Sequence, residues 1–213
     1  MSSDVLVTTP AQRQTEPHAE AVSRNRRQQA TFRKVLAAAM ATLREKSYAD
    51  LTVRLVAARA KVAPATAYTY FSSKNHLIAD VYLDLVRQVP CVTDVNVPMP
   101  IRVTSSLRHL ALVVADEPEI GAACTAALLD GGADPAVRAV RDRIGAEIHR
   151  RITSAIGPGA DPGTVFALEM AFFGALVQAG SGTFTYHEIA DRLGYVVGLI
   201  LAGANEPSTG GSE

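Results

Sequence analysis

Apolar residues recur along this chain at intervals of three and four, the spacing that places side chains on one face of an α-helix. The first clear stripe is formed by Phe32, Val35, Leu36, Ala39, Met40 and Leu43. We find neither the strict alternation of a half-buried β-strand nor an internal repeat. With 213 residues, of which 48% are apolar, the chain can bury a sizeable core. The pattern predicts an all-α protein.

Proline and capping residues mark where several helices begin. Pro64, Pro135 and Pro162 suit the first turn of a helix, where an amide hydrogen would have no partner. Asp134 and Asp161 suit the N-cap positions of the helices that follow them. The predicted helices cover roughly 28–46, 53–60, a segment from Pro64, 74–89, 101–115, a short segment after Pro118, 135–157, 162–179 and 187–202. The proline-rich stretch PCVTDVNVPMP, residues 90–100, separates the first four from the rest.

The net charge of zero conceals a strong asymmetry along the chain. Residues 21–74 contain 11 Lys and Arg against two Asp and Glu, a formal charge of +9, whereas residues 91–213 contain eight against 14. Basic residues concentrated in one early segment are typical of a domain that binds a polyanion such as DNA. A solvated basic face is the alternative that charge alone leaves open.

The stretch LTVRLVAARAKVAPATAYTYFSSK, residues 51–74, has the organisation of a helix-turn-helix. The second helix of such a unit enters the major groove with its first residues at the base edges. Here those residues are small, and we expect Ala65 and Thr66 to lie against bases. Tyr68 and Tyr70 point to different sides of the helix and suit phosphates on the groove walls, while Phe71 faces the core.

Flanking residues add candidate phosphate contacts. Lys74 combines a positive charge with the free amide groups of a helix start, and Thr52 and Arg54 lie at the start of the preceding helix. Arg26 and Arg27, together with Arg24, could act as a flexible arm on phosphates or in a minor groove, or else form a solvated helix start. A helical hairpin with half-buried tyrosines remains the alternative for the whole segment.

The segment TVRLVAARAKVAPATAYTYFSSKNHLI resembles the DNA-binding signature of the TetR family of bacterial transcriptional repressors. That signature reads as a T-V-x-x-I-A stretch, an A-G-V-S turn, then T-x-Y-x-x-F and S-K-x-x-L. The matching residues, in order, are Thr52, Val53, Val56, Ala57, Val62, Thr66, Tyr68, Phe71, Ser73, Lys74 and Leu77. The resemblance is specific over roughly residues 28–85.

The resemblance implies a homodimer that binds a palindromic operator and is released by a small effector. It also implies a division of the chain. Residues 23–75 would form the DNA-binding domain and 76–204 the ligand-binding and dimerisation domain, with a disordered arm at 1–22 and a disordered tail at 205–213.

The chain departs from the family's signature in and after the turn. Lys61 replaces the turn glycine, which costs on the order of 1 kcal/mol if the residue is left-handed. Ala63 replaces the serine cap, so a capping bond worth about 1 kcal/mol is missing. Ala65 stands where glycine is frequent, and Tyr70 where histidine is frequent. These departures bear on the operator sequence rather than on the motif.

The second half of the chain offers an interface and a pocket. The stretches VFALEMAFFGALVQAG and YVVGLILAGA are apolar nearly all round, which suits either the domain's own core or a dimeric four-helix bundle formed by the last two helices. Gly174, Gly180, Gly194 and Gly198 would let those helices approach closely. An apolar pocket for a hydrophobic effector is predicted from His109, Cys124, Phe166, Met170, Phe173 and Gln178.

Other functional classes find little support in the sequence. No HExxH, CxxC, GxSxG or phosphate-loop pattern is present, so we expect no enzyme, metal site or cofactor. His149 lies in a charged run and is expected to be solvated. The start of the chain does not resemble a signal peptide, and the apolar stretches are not expected to span a membrane. The expected location is the cytoplasm, and a helical protein-interaction module is the alternative to a DNA-binding regulator.

Overall fold

The computed structural model describes residues 16–92 and 94–204, and within them every regular element is a helix. Nine α-helices and two 3₁₀ segments follow one another, so the all-α prediction is confirmed. The bounds are α1 Glu16–Leu43, α2 Val53–Arg59, α3 Pro64–Tyr70, α4 Lys74–Gln88, α5 Met99–Ala111, a 3₁₀ segment Leu112–Val114, α6 Pro118–Asp130, a 3₁₀ segment Gly131–Ala133, α7 Pro135–Ile156, α8 Pro162–Gly180 and α9 Tyr186–Ala204. The predicted tail at 205–213 and residues 1–15 of the predicted arm lie outside the described residues.

Helix α1 begins at Glu16, well before the start predicted near residue 28. Residues 16–22 are therefore helical where the sequence predicted a disordered arm. The apolar stripe that predicted the helix begins only at Phe32, whereas the preceding residues are polar helix formers that can extend a helix into solvent. Arg26 and Arg27 are exposed on this extension, so they belong to a helix and not to a flexible arm.

The helix-turn-helix packs around Phe71, which is fully buried. Its ring stacks on Phe32 of α1 with the centroids 5.1 Å apart. Ala67, one turn earlier on α3, is also fully buried, as are Val56 and Ala57 on α2. The prediction that Phe71 faces the core is confirmed, and this contact fixes the rotation of α3 about its axis.

The turn between α2 and α3 is a Schellman motif built around a left-handed lysine. Lys61 has φ of 53°, the single positive φ among the non-glycine residues that the structure describes. The amide of Val62 donates to the carbonyl of Ala57 at 3.0 Å, and that of Lys61 to Ala58 at 3.1 Å. Lys61 is therefore left-handed where the family has glycine, and Ala63 makes no side-chain cap for α3.

Helices α5 to α9, with α4, form the larger helical half. Helix α5 packs along α9 and α7, α8 packs along α9 and α6, and α4 packs against α6 and α7. The apolar stripe of α7 is buried, with Val137, Val140, Ile148 and Ile152 fully covered. Asp134 and Asp161 cap α7 and α8 as predicted.

Two arginines fasten helix ends inside this half. Arg151 is buried and donates to the carbonyl of Val89 at 2.6 Å, beyond the end of α4, while it pairs with Glu147 at 2.8 Å. Arg102 donates to the carbonyls of Ala155 and Ile156 at the end of α7. Arg151 can be buried because its guanidinium satisfies several orphan carbonyls at once.

One described helix, α8, has the length and composition of a membrane span, although the sequence predicts none. It has 19 residues, and 22% of its apolar window is buried. The same test is passed by apolar helices of water-soluble proteins, and α8 already packs against α6, α7 and α9. Its uncovered apolar side chains need another partner.

We predict that Lys61→Gly stabilises the protein, because glycine adopts the left-handed conformation without the steric cost that lysine carries. The free energy of unfolding should rise by about 0.5–1 kcal/mol in chemical denaturation. Lys46→Gly is the matched control, since Lys46 has no positive φ, and it should leave stability unchanged or lower it. Equal effects of the two substitutions on stability would contradict the inference that the backbone of Lys61 is strained.

Candidate nucleic-acid interface and ligand cavity

Helix α3 exposes one face and buries the other. Pro64, Ala65 and Thr66 are exposed at its start, and Tyr68 keeps 51% of its surface accessible. Because Phe71 holds the opposite face in the core, these side chains point away from the protein together. The geometry agrees with a helix that inserts its first turn into a groove, and the base contacts of Ala65 and Thr66 remain predictions.

Tyr70 differs from Tyr68 in its surroundings. It is half-buried, and its ring lies 6.1 Å from the Phe32 ring in an edge-to-face arrangement and 6.2 Å from the Phe71 ring. The body of Tyr70 therefore extends the core, which leaves its phenol as the part able to reach a phosphate. The aromatic residues of this stretch therefore contribute both to the buried core and to the exposed face of α3.

Lys74 is held by the turn between α1 and α2. Its Nζ donates to the carbonyl of Tyr48 at 3.2 Å and lies 4.5 Å from the centroid of the Tyr48 ring. A second, longer bond of 3.5 Å reaches the carbonyl of Ala49. The sequence predicts a phosphate contact for Lys74, and in this geometry the ammonium also fastens the start of α4 to that turn.

Thr52 and Arg54 lie at the start of α2. The hydroxyl of Thr52 accepts a bond from the amide of Leu55 at 3.1 Å, so it caps the helix and keeps its own hydrogen available for a phosphate. Arg54 is exposed. Arg59 is also exposed, but both of its terminal nitrogens donate to Glu45 at 2.6 Å. Arg54 is therefore the stronger candidate for a phosphate contact.

Ser73 joins the helix-turn-helix to the larger helical half. Its hydroxyl accepts from the amide of His76, which caps α4, and donates to Asp134 Oδ2 at 2.9 Å. Asp134 in turn caps α7 through the amide of Ala136 at 2.9 Å. These bonds from Ala136 and Ser73 lower the pKa of the Asp134 carboxyl. The Asp134 carboxylate therefore caps α7 directly and holds the serine that caps α4, the helix that follows α3.

A second link lies further along α4. Asp80 is buried, pairs with Arg143 of α7 at 2.8 Å and lies 3.3 Å from His76 Nε2. Arg143 pairs with Asp80 and not with Glu147, four residues further along α7, because a buried carboxylate needs a cation more than an exposed one does. Helix α4 is thus linked to α7 at two positions, through Ser73 at its start and through Asp80 further along.

A cavity of about 710 Å³ lies between α4, α6, α7 and α8. Its buried walls include Tyr82, Cys124, Ile144 and Tyr186, and exposed residues such as Arg141 surround its opening. The volume is in the range of small-molecule sites. Burial raises the pKa of the Cys124 thiol to about 12, so this cysteine stays protonated and contributes a small, weakly polar surface.

The six residues predicted to line a pocket do not lie together in the structure. Cys124 and Phe173 line this cavity. Met170 and Gln178 instead line a shallow groove between α8 and α9, and His109 and Phe166 lie outside the cavity. The apolar composition of α8 predicted that its side chains would line a pocket. Most of this helix instead faces outward.

Sequence reasoning also missed residues of the cavity. His149, expected to be solvated, lies at the opening with Nδ1 2.8 Å from Glu169 Oε1, although it is well exposed. Tyr82 and Tyr186 were not predicted at all. The available signal for Tyr82 was its helix: residues 77–83, LIADVYL, are apolar on nearly every side, which indicates a central helix that borders any internal cavity.

Comparisons with known proteins agree with this architecture. Residues 35–81 match the family described as "Bacterial regulatory proteins, tetR family". The N-terminal domain is a TetR-family domain. The match spans α2, α3, and parts of α1 and α4, so the TetR-family domain contains the helix-turn-helix and the Lys61 turn.

Solved structures share this fold over more than four fifths of the chain. A TetR transcriptional regulator from Rhodococcus sp. RHA1 aligns with a TM-score of 0.69 at 21% identity, over 84% of this chain and 98% of that one. Thermus thermophilus FadR, a TetR-family repressor in complex with lauroyl-CoA, aligns with a TM-score of 0.60 at 18% identity, over 85% and 99%. Bacillus subtilis FadR in complex with stearoyl-CoA gives 0.54 at 14%, over 81% and 98%. The chain has the TetR-family regulator fold.

We predict that Arg54 contributes to the salt dependence of DNA binding and that Arg59 does not. Arg54→Ala should reduce the slope of log affinity against log salt concentration by about 0.9 for each phosphate that the side chain neutralises. Arg59→Ala removes a guanidinium already held by Glu45 and should leave the slope unchanged. The measurement is a salt titration on a random-sequence duplex, and equal slopes for both variants would contradict the assignment.

Substitution of Asp134 or Asp161 by alanine tests whether the Ser73–Asp134 hydrogen bond affects DNA binding. Each caps a helix that starts with proline, so Asp134→Ala and Asp161→Ala should each cost about 1 kcal/mol of stability. Only Asp134→Ala also frees Ser73, and it should weaken DNA affinity severalfold while Asp161→Ala does not. Because the pKa of Asp134 is lowered, its stabilisation is complete above the ordinary carboxyl pKa and is lost as pH falls through the lowered value.

Denaturation at several pH values and DNA titration of both variants check this. Unchanged DNA affinity in Asp134→Ala would show that the Ser73 link has no part in positioning the recognition helix.

Proposed function

We propose that this protein is a transcriptional regulator that binds a palindromic DNA operator as a homodimer and releases it when a small, hydrophobic effector occupies the cavity. The observation that carries the proposal is the TetR-family domain whose exposed face, with Thr66 and Tyr68, is directly followed by a helix that also forms a cavity wall. A regulator needs a surface that contacts DNA and a way for ligand binding to move that surface. Helix α4 connects the two, because it follows α3 directly and lines the cavity.

The DNA-binding residues proposed are those predicted from the sequence. Ala65 and Thr66 would approach base edges, and the remaining residues would contact phosphates: Arg26, Arg27, Thr52, Arg54, Tyr68, Tyr70 and Lys74. The geometry supports the exposed members most directly, since their polar groups are turned to solvent. For Lys74, DNA would compete with the carbonyl of Tyr48.

The homodimer is proposed from the outer face of α8 and α9. Exposed apolar side chains recur along α8 at Phe166, Met170, Phe173 and Val177, and α9 adds Tyr195 and Leu199. A methyl group built on Gly174 or Gly198 would meet nothing within 4 Å, whereas on Gly180 it would meet Thr125 at 2.2 Å. Two of the predicted glycines therefore face outward, where a partner's helices could approach closely.

The proposed response to effector follows from the shared walls. Tyr82 on α4 and Ile144 on α7 line the cavity, and the Asp80–Arg143 and Ser73–Asp134 links tie the same two helices. A ligand that fits better when α4 is shifted relative to α7 would stabilise that shifted state and so move the recognition helices of the dimer out of register. The two FadR structures, bound to acyl-CoA molecules, support a hydrophobic effector.

The proposed location is the cytoplasm, where a regulator meets its DNA, and we propose no enzymatic role. Groups of His, Cys, Asp and Glu arranged to hold a metal are absent from the described ranges, 16–92 and 94–204. The helical interaction module is the competing function and becomes an outcome of the following test.

Selection from fragmented genomic DNA tests the proposal. The purified protein should retain fragments that share one inverted repeat, and retention should fall steeply as salt rises. Salt-sensitive retention without a shared sequence would contradict operator recognition. No retention at low salt by ligand-free protein would contradict DNA binding and favour the interaction module.

We predict that Leu199→Glu disrupts the dimer, because it places a charge in the proposed apolar interface. Sedimentation should show a monomer at micromolar concentration, with loss of affinity for the inverted repeat. Val95→Glu is the control: Val95 is even more exposed, at 84% against 57%, but lies between α4 and α5. A dimeric Leu199→Glu variant with normal DNA affinity would place the interface elsewhere.

A further inference from the structure

The cavity opens to solvent along the gap between α7 and α8. The residues of its lining that are exposed lie on these two helices, with one exception at the end of α6: Leu129, Arg141, Asp142, Ala146, His149, Phe173 and Val177. The remaining lining residues are buried or half-buried, apart from none on α4 that reach the surface. The rim of the opening is therefore formed mainly by α7 on one side and α8 on the other.

A single ion pair joins the two sides of this gap among the described residues. Helices α7 and α8 run antiparallel from their connection at residues 157–161, and His149 Nδ1 lies 2.8 Å from Glu169 Oε1. One turn further from the connection, Gly145 and Phe173 both line the cavity, and a methyl group built on Gly145 would meet nothing within 4 Å. Beyond the ion pair the gap stays open.

Two side chains belong both to the cavity wall and to the outer face of α8. Phe173 and Val177 line the cavity, yet both are exposed. On the helix they continue the apolar stripe that begins with Phe166 and Met170, at intervals of three and four residues. Whatever covers the outer face of α8 therefore also lies beside the opening.

The size and charge of this outer face suit a second copy of the chain. Six large side chains keep between 37% and 71% of their surface exposed: Phe166, Met170, Phe173, Val177, Tyr195 and Leu199. Together they leave roughly 600 Å² uncovered, most of the ~800 Å² that each partner of a stable complex buries. Two copies can meet here without repulsion, since α8 contains one charged residue, the paired Glu169, and α9 contains none from Tyr195 onward.

The width of a helix determines what such a partner would cover. A helix with its side chains is about 10 Å across, and packed helices lie about 8–10 Å apart. A partner helix placed along the exposed stripe of α8 would therefore extend beyond α8 on both sides. On one side lies the groove between α8 and α9, and on the other lies the opening of the cavity.

We infer that the partner subunit closes the opening of the cavity, so that the effector site is complete only in the homodimer. This inference rests on the proposed function and adds that the partner supplies the outer wall of the site. An effector in the closed cavity contacts both subunits, and its binding depends on their relative position. The same relative position sets the separation of the two α3 helices, which gives the effector a direct means to alter DNA binding.

The reaction rate of a cysteine on the α7 rim tests the closure. Ala146→Cys places a thiol on the exposed rim, and Ala37→Cys places one on the exposed face of α1, outside the cavity and the outer face. Both are made with Cys91→Ser, because Cys91 is exposed, whereas Cys124 is buried. Reaction with a polyethylene-glycol maleimide is measured for each in the dimer and in the Leu199→Glu background, with sedimentation and circular dichroism as checks on assembly and folding.

The thiol of Ala146→Cys should react about tenfold more slowly in the dimer than in the monomeric background, because it is reached only when the subunits part. The thiol of Ala37→Cys should change by less than about twofold. Comparing each cysteine with itself removes the influence of neighbouring charges on its reactivity. Met170→Cys reports on the outer face itself and should also be protected in the dimer.

Equal rates for Ala146→Cys in the two backgrounds would overturn the inference. Protection of Met170→Cys without protection of Ala146→Cys would do the same while leaving the homodimer in place. A wild-type protein that sediments as a monomer would instead contradict the homodimer of the proposed function. If the rim of that monomer were protected only in bacterial extract, the outer face would belong to a different protein and the inference would fail.

Discussion

The burial of α4 is the constraint on which the rest of the molecule depends. From Leu77 to Leu83 every residue of this helix is buried, because the helix packs on α1, α6 and α7. A helix covered in this way cannot shift without moving its neighbours. Helix α4 begins directly after α3 and runs on beside the cavity, so one rigid element connects the proposed DNA-binding face to the proposed ligand site.

Polar links give this rigid element a preferred position. Asp80 is a buried carboxylate, and it is held in place by Arg143 and His76. A buried ion pair adds little net stability but fixes geometry strictly, since any displacement leaves a charge unpaired. With Ser73 on Asp134 at one end and Arg151 on the carbonyl of Val89 at the other, α4 has discrete resting contacts, as a two-state response requires.

Much of the fold follows from local rules, and the sequence therefore predicts it. Pro64, Asp134 and Asp161 mark helix starts through bonds within a few residues, and Phe71 faces the core because of its spacing on α3. Arg151 and the extension of α1 could not be predicted in this way. The partners of Arg151 lie at the end of α4, far away along the chain, and the residues before Phe32 lack the apolar stripe by which a helix is recognised.

The difference between local and long-range contacts also explains how far each of the two candidate sites can be predicted from the sequence. The proposed DNA-binding face lies largely in one continuous stretch, so its candidate residues can be proposed from the sequence. The cavity is assembled from four helices, so predicting its walls requires knowing which face of each helix turns inward; Phe166 and Met170 lie on the other face of α8. The central claim, that two such reading faces act together on DNA, is most directly tested by a distance between spin labels at Lys61→Cys, an exposed position just before α3 that is not a proposed DNA contact. Cys91 is exposed and would be replaced by serine, whereas Cys124 is buried. On a duplex bearing the selected inverted repeat, two labels about 35 Å apart are predicted, one helical turn of DNA. Absence of a dipolar coupling, or a separation that cannot match successive major grooves, would contradict the account.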